Sequence, residues 1–107
     1  MAQQPQGAPG YDDDLRSFLE YLRGRGDRIS EHFAHGVADQ IDVEDLQEIV
    51  DAINEKLEGI KRTNRSLGRR LEDIQDHCLS AKKYLGKENY TPFMKLLRSI
   101  AQQLKSL

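Results

Sequence analysis

From Asp42 onward, large apolar residues recur in alternating steps of three and four: Val43, Leu46, Val50, Ile53, Leu57 and Ile60, then Leu67, Leu71, Ile74, Cys78, Ala81 and Leu85. This is a heptad rhythm, with a at 43, 50, 57, 64, 71, 78 and 85 and d at 46, 53, 60, 67, 74 and 81. About six heptads without a slip predict one long helix over 43–85 of the coiled-coil kind, capped by Asp42 and ended by Gly86.

Shorter amphipathic patterns flank it. Leu15, Phe18, Leu19 and Leu22 share one face of a predicted helix over 11–23, whose first turn carries Asp12, Asp13 and Asp14 and which Gly24 and Gly26 close. A second short helix over 27–38 is read from Ile29, Phe33 and Val37, with Asp27 as its cap and Gly36 weakening its end. At the far end, Thr91-Pro92 reads as a cap and first-turn proline. The helix over 92–105 that follows has Phe93, Leu96, Leu97, Ile100, Ala101 and Leu104 on one face and Lys95, Arg98, Gln102, Gln103 and Lys105 on the other. No strand-like alternation of useful length is found. The predicted class is therefore all-α: a long heptad-bearing helix with shorter flanking helices, as a coiled coil or a helical bundle.

The repeat has one irregularity. In Gly59-Ile60-Lys61-Arg62-Thr63-Asn64-Arg65-Ser66-Leu67-Gly68 an asparagine stands where the rhythm asks for an aliphatic residue. Thr63, Asn64, Ser66 and Gly68 are weak helix formers, which suggests a hairpin. The unbroken phase from Ile60 to Leu67 argues instead for a continuous helix with Asn64 as a polar a residue that fixes register. On that reading Asn64→Leu raises thermal stability while loosening the oligomeric state.

Composition adds limits. The first ten residues, MAQQPQGAPG, lack large apolar residues beyond Met1 and read as a disordered tail before a single helical domain over 11–107. Charged residues make up 32% and apolar ones 37%, with no tryptophan, so the core is modest and aliphatic. No apolar run reaches the roughly 20 residues of a membrane span, and no secretory signal is seen. A soluble, cytoplasmic protein is expected, and the single cysteine, Cys78, gives no disulfide framework.

Charge is polarised along the chain. Residues 1–60 hold 5 Lys/Arg against 14 Asp/Glu, or −9, whereas residues 61–107 hold 11 against 4, or +7. This asymmetry suits intramolecular folding, antiparallel self-association or a charged partner. A parallel homodimer would instead set Lys56 against Lys61 and His77 against Lys82. Ile49 widens the apolar face beyond a two-stranded seam, so third and fourth helices, Leu15 to Leu22 and Phe93 to Leu104, are expected alongside it.

Candidate chemistry is sparse. His32, His35, His77 and Cys78 do not reproduce a zinc-site spacing, and Glu31, His32 and His35 do not spell HExxH. Arg25-Gly26-Asp27 is read as a turn with a capping aspartate. No phosphate-cradling glycine loop is present, so neither catalysis nor a cofactor is expected. Lys61, Arg62, Arg65, Arg69 and Arg70 form the strongest basic cluster and are candidates for binding an anion or an acidic partner.

The sequence thus predicts a non-enzymatic protein-interaction module: an oligomerising coiled-coil scaffold, adaptor or small complex subunit. Its interface seam is Val50, Ile53, Leu57, Ile60, Asn64, Leu67, Leu71 and Ile74, and its partner is a second copy of itself or a heteromeric coiled-coil chain. The alternative is a nucleic-acid-binding accessory protein using the basic cluster at 61–70. Aromatics do not interleave with that cluster and acids follow it closely, which disfavours the alternative. Membrane binding through the last helix is likewise disfavoured, because the helix lacks tryptophan and a dense lysine face.

Overall fold

Apolar stripes on every helix demand a common core, and the computed structural model, which describes residues 9–85 and 90–107, forms one between four α-helices. They are α1 (Pro9–Ala34), α2 (Val43–Thr63), α3 (Arg65–Tyr84) and α4 (Thr91–Lys105), with a 3-10 turn at Ala38–Gln40 between α1 and α2. No strand occurs among the described residues. Residues 1–8, most of the predicted tail, lie outside the described residues, as do residues 86–89, including Gly86, the predicted end of the long helix.

The chain runs up, down, up and down. Lys56 pairs with Asp14 and Arg25 with Glu48, so α2 is antiparallel to α1. Gln75 reaches Val50 and Asn54, which sets α3 antiparallel to α2, and His77 meets Gln103, which sets α4 antiparallel to α3. α4 also packs on α1, closing a bundle whose extents are 54 × 27 × 20 Å. Leu22, Leu46, Ile53, Leu71, Ile74 and Phe93 are fully sealed at its centre.

The predicted long helix is not continuous. It turns back on itself at Asn64, and the heptad seam becomes the inner face of an α2/α3 hairpin. Asn64 closes one helix and opens the next. Its N–H donates to the Ile60 carbonyl at 2.7 Å, its carbonyl accepts from Gly68 at 3.0 Å, and its Oδ1 caps Leu67 N–H at 3.1 Å. The backbone there leaves the helical region, at φ −148° and ψ 87°. One residue suffices for the corner, so the three-four phase passes through it unchanged. That is why unbroken phase is no sign of unbroken helix. The flanking positions pair symmetrically about the Asn64–Arg65 peptide bond: Gln47 with Lys82, Asn54 with Gln75, and Lys61 beside Gly68.

The two short N-terminal helices are also corrected, since α1 runs unbroken through Gly24 and Gly26. Gly26 is buried against α4, where an added Cβ would sit 2.8 Å from Leu104 Cβ and 3.0 Å from the Ala101 carbonyl oxygen. Helix–helix contact thus offsets the roughly 1 kcal/mol by which a glycine weakens a helix interior. Asp27 is accordingly an exposed mid-helix residue and not a cap, and Arg25-Gly26-Asp27 is helical, not a turn. α1 ends in a Schellman motif: Gly36 at φ 71° donates to Phe33 O, and Val37 donates to His32 O at 2.8 Å.

Other local signals act as read. Asp42 caps α2 in a reciprocal box with Asp45, each side chain accepting the other's backbone N–H at 3.1 and 3.0 Å. Pro92 sits in the first turn of α4. That helix begins at Thr91, with Tyr90 and not Thr91 as the flanking residue.

Candidate functional site

The predicted interface seam is spent inside the chain. Val50, Ile53, Ile60, Leu67, Leu71 and Ile74 are buried in the intramolecular core, and Leu57 packs against it half-buried. Asn64, the eighth seam residue, is exposed at the corner and serves as a cap. An intermolecular coiled coil through these residues would require the bundle to open.

The same turn that buries the seam gathers the predicted basic cluster. Lys61 and Arg62 end α2, while Arg65, Arg69 and Arg70 occupy the first two turns of α3, so five cations converge on one end of the bundle. All five are exposed. Lys61 Nζ contacts Glu72 at 3.2 Å, and Arg70 donates to the Ser106 carbonyl at 2.8 Å. Among the described residues, no side chain pairs with Arg62, Arg65 or Arg69. Lys61 and Arg62 suit the negative end of α2, but Arg65 and its neighbours stand at the positive end of α3, whose first turn holds no acid. Apart from the Lys61–Glu72 pair, the corner therefore concentrates positive charge without acidic side-chain partners among the described residues.

The histidines and cysteine stand apart. His32 Nδ1 lies 2.8 Å from the Arg28 carbonyl and His77 Nδ1 lies 2.8 Å from Gln103 Oε1. Cys78 is buried, and burial pushes its thiol up to about 12, with Lys82 pulling weakly the other way. Among the described residues no group of three or more His, Cys, Asp or Glu side chains is placed to hold a metal ion.

Open clefts on the bundle were not legible in the sequence. One, of about 430 Å³, lies between the end of α1 and the start of α4 and is lined by Phe33, Ala38, Asp39, Tyr90, Met94 and Arg98. Arg98 lies over the Phe33 ring, 4.6 Å from its centroid, and forms a wall shared with the neighbouring cleft at Ser30, Gln102 and Lys105. A smaller space of about 200 Å³ between α1 and α2 is bordered by Arg25, Arg28, His32 and Asp45, but Glu48 already holds Arg25 at 2.6 Å. The sequence places Phe33 on the apolar stripe of one helix and Arg98 on the polar face of another. Only the α1–α4 pairing, a contact between the two ends of the described chain, brings them together.

No helix among the described residues is long and apolar enough to cross a membrane. No protein-family model, curated protein or solved structure matches the chain.

Proposed function

We propose that this chain is a non-enzymatic protein-interaction module, an adaptor or small complex subunit, whose basic corner holds an acidic segment of another protein. The observation that carries this reading is the position of Arg62, Arg65 and Arg69, exposed and without side-chain partners among the described residues, with Arg65 in the first turn of α3 where the helix dipole repels it. A carboxylate-rich segment laid across the corner relieves that repulsion, and arginines can meet carboxylates in bidentate fashion. The caps and core hold the corner in shape before binding, which lowers the entropic cost of docking. A reducing, cytoplasmic setting suits the single buried thiol of Cys78.

Nucleic acid is the second reading, favoured by the density of cations alone. Glu72, Asp73 and Asp76 follow the cluster within two turns of α3, and no aromatic side chain lies between residues 61 and 70 to stack on a base. An acidic protein segment fits that mixed surface better than a continuous phosphate backbone.

Fluorescence anisotropy at low salt tests both readings, using a labelled glutamate- and aspartate-rich peptide, a labelled duplex and a labelled single strand. The peptide is expected to bind the wild type, and the Arg65→Glu, Arg69→Glu double variant is expected to lose it. Binding to neither peptide nor nucleic acid removes the corner as a site. Tighter binding of the duplex, weakening linearly on a log–log salt plot, transfers the function to nucleic acid.

A further inference from the structure

The bundle carries two complementary charged stripes that it cannot bring together. On α2, Glu44, Glu48, Asp51, Glu55 and Glu58 are exposed at steps of four, three, four and three, which sets them in one row along the helix. On α4, Lys95, Arg98, Gln102 and Lys105 are exposed at steps of three, four and three, and the helix contains no acid. α4 packs on α1 and α3, while α2 packs on α3 and pairs its charges with α1, so the two stripes face outward from opposite corners of the bundle. The charge polarity between the chain's two halves is therefore left largely unspent by folding.

We infer that the outer face of α4 is a docking surface for the outer face of α2 on a second copy of this chain. Charge complementarity commits the occupant. Arg98 and Lys105 are seven residues apart, as are Asp51 and Glu58, whereas Glu48 already pairs with Arg25 of its own chain, so two helices laid side by side bring both cations opposite acids at once. The α4 side is preorganised: Arg98 is stacked on Phe33 at 4.6 Å, and Lys105 Nζ lies 3.1 Å from Ser30 Oγ, so less side-chain freedom is lost on contact. The neighbouring acids of α2, three or four residues apart, repel one another. A cationic stripe lifts that repulsion.

The contact is heterologous. Each copy that uses its α4 face still presents a free α2 face, so association is open-ended, weak and sensitive to salt. It is separate from the basic corner, which lies at the end of the bundle and not along α4.

Sedimentation velocity over a hundredfold concentration range, at about 20 mM and about 300 mM salt, reads this contact across a large change in screening length. The wild type is expected to gain mass with concentration at low salt and to lose that gain at high salt. Two double variants, Lys95→Glu with Arg98→Glu and Asp51→Lys with Glu55→Lys, are each expected to stay monomeric alone and to associate when mixed in equal amounts. Circular dichroism establishes that both keep their helices. A wild type that is monomeric at low salt, self-association that survives either double variant, or a mixture that stays monomeric each overturns the inference. The Arg65→Glu, Arg69→Glu variant separates it from the proposed function, because that variant is expected to lose the acidic peptide and to self-associate as the wild type does. Loss of self-association in that variant assigns the contact to the corner and overturns the α4 surface.

Discussion

A Cβ atom on Gly68 would lie 2.6 Å from Lys61 Cγ and 3.2 Å from Lys61 Cα. The base of the α2/α3 hairpin is thus as close as a hydrogen on Gly68 allows, and this contact fixes how tightly the chain can turn at Asn64. Lys61 Cγ can swing away from a methyl group, but its Cα belongs to the α2 backbone.

Glycine substitutions in this fold are expected to split by location and not by helix propensity. Gly68→Ala gains about 0.5–1 kcal/mol of propensity but is expected to lose more by prising α2 from α3, since overpacking typically costs about 1–3 kcal/mol. Gly26→Ala meets Leu104 Cβ at 2.8 Å and the Ala101 carbonyl at 3.0 Å, and is expected to be the worse of the two. Gly24 and Gly59 face open space, so alanine there is expected to stabilise by about 0.5–1 kcal/mol. Urea unfolding of the four variants checks the order.

Asn64 yields the opposite of its sequence expectation. As a buried register residue it would be improved by leucine, but as an exposed cap it holds Leu67 N–H through Oδ1 at 3.1 Å. Asn64→Leu and Asn64→Ala are expected to lower stability by about 0.5–2 kcal/mol, the usual cost of losing an N-cap. Asn64→Asp keeps the acceptor and places a negative charge between the favourable N-terminus of α3 and the unfavourable C-terminus of α2, so it is expected to stay close to the wild type. Equal melting temperatures for Leu, Ala and Asp variants would show that the cap contributes nothing.

Elements carried by local chemistry were readable from the sequence. Asp42, Pro92 and the apolar stripes of Leu15–Leu22 and Phe93–Leu104 each specify a cap, a first turn or a core face within a few residues, and the structure uses them so. Signals whose meaning depends on distant partners were misread. Gly24 and Gly26 look like a helix stop because the partner that makes Gly26 favourable, α4, is about 75 residues away in sequence. Asn64 looked like a register device because periodicity reports which face is apolar, not whether that face meets another chain or its own continuation. The basic cluster is visible as composition, whereas the convergence of its five cations on one corner, with only Lys61 meeting an acid among the described residues, needs the corner geometry. The cleft at Phe33 and Arg98 had no local signature at all.

The basic corner is expected to trade stability for binding. Arg65 stands in the first turn of α3, where a cation opposes the helix dipole and an anion is favoured by about 0.3–1 kcal/mol. Arg65→Glu is therefore expected to raise the melting temperature while weakening capture of the acidic peptide. A variant that loses both stability and binding would show that Arg65 supports the fold, and the functional reading of the corner would lose its main support.

Cys78 supplies a pH signature of the intact core. Its thiol is pushed up to about 12 by burial, against about 8.5 in an unfolded chain, so between those values the folded state keeps a proton that the unfolded state releases. Stability from this group is complete below pH ~8.5 and is lost progressively as pH rises towards ~12. Lysines and tyrosines also titrate in that range, so the informative quantity is a difference. The wild type is expected to lose stability more steeply than Cys78→Ala between about pH 9 and 11, although the alanine variant starts lower because it leaves a cavity in the core. The buried thiol is also expected to resist alkylation at neutral pH until the bundle opens, so its labelling rate should track global unfolding in urea. Parallel pH curves for the two proteins, together with fast labelling in native buffer, would place Cys78 at the surface and contradict the α3 packing described above.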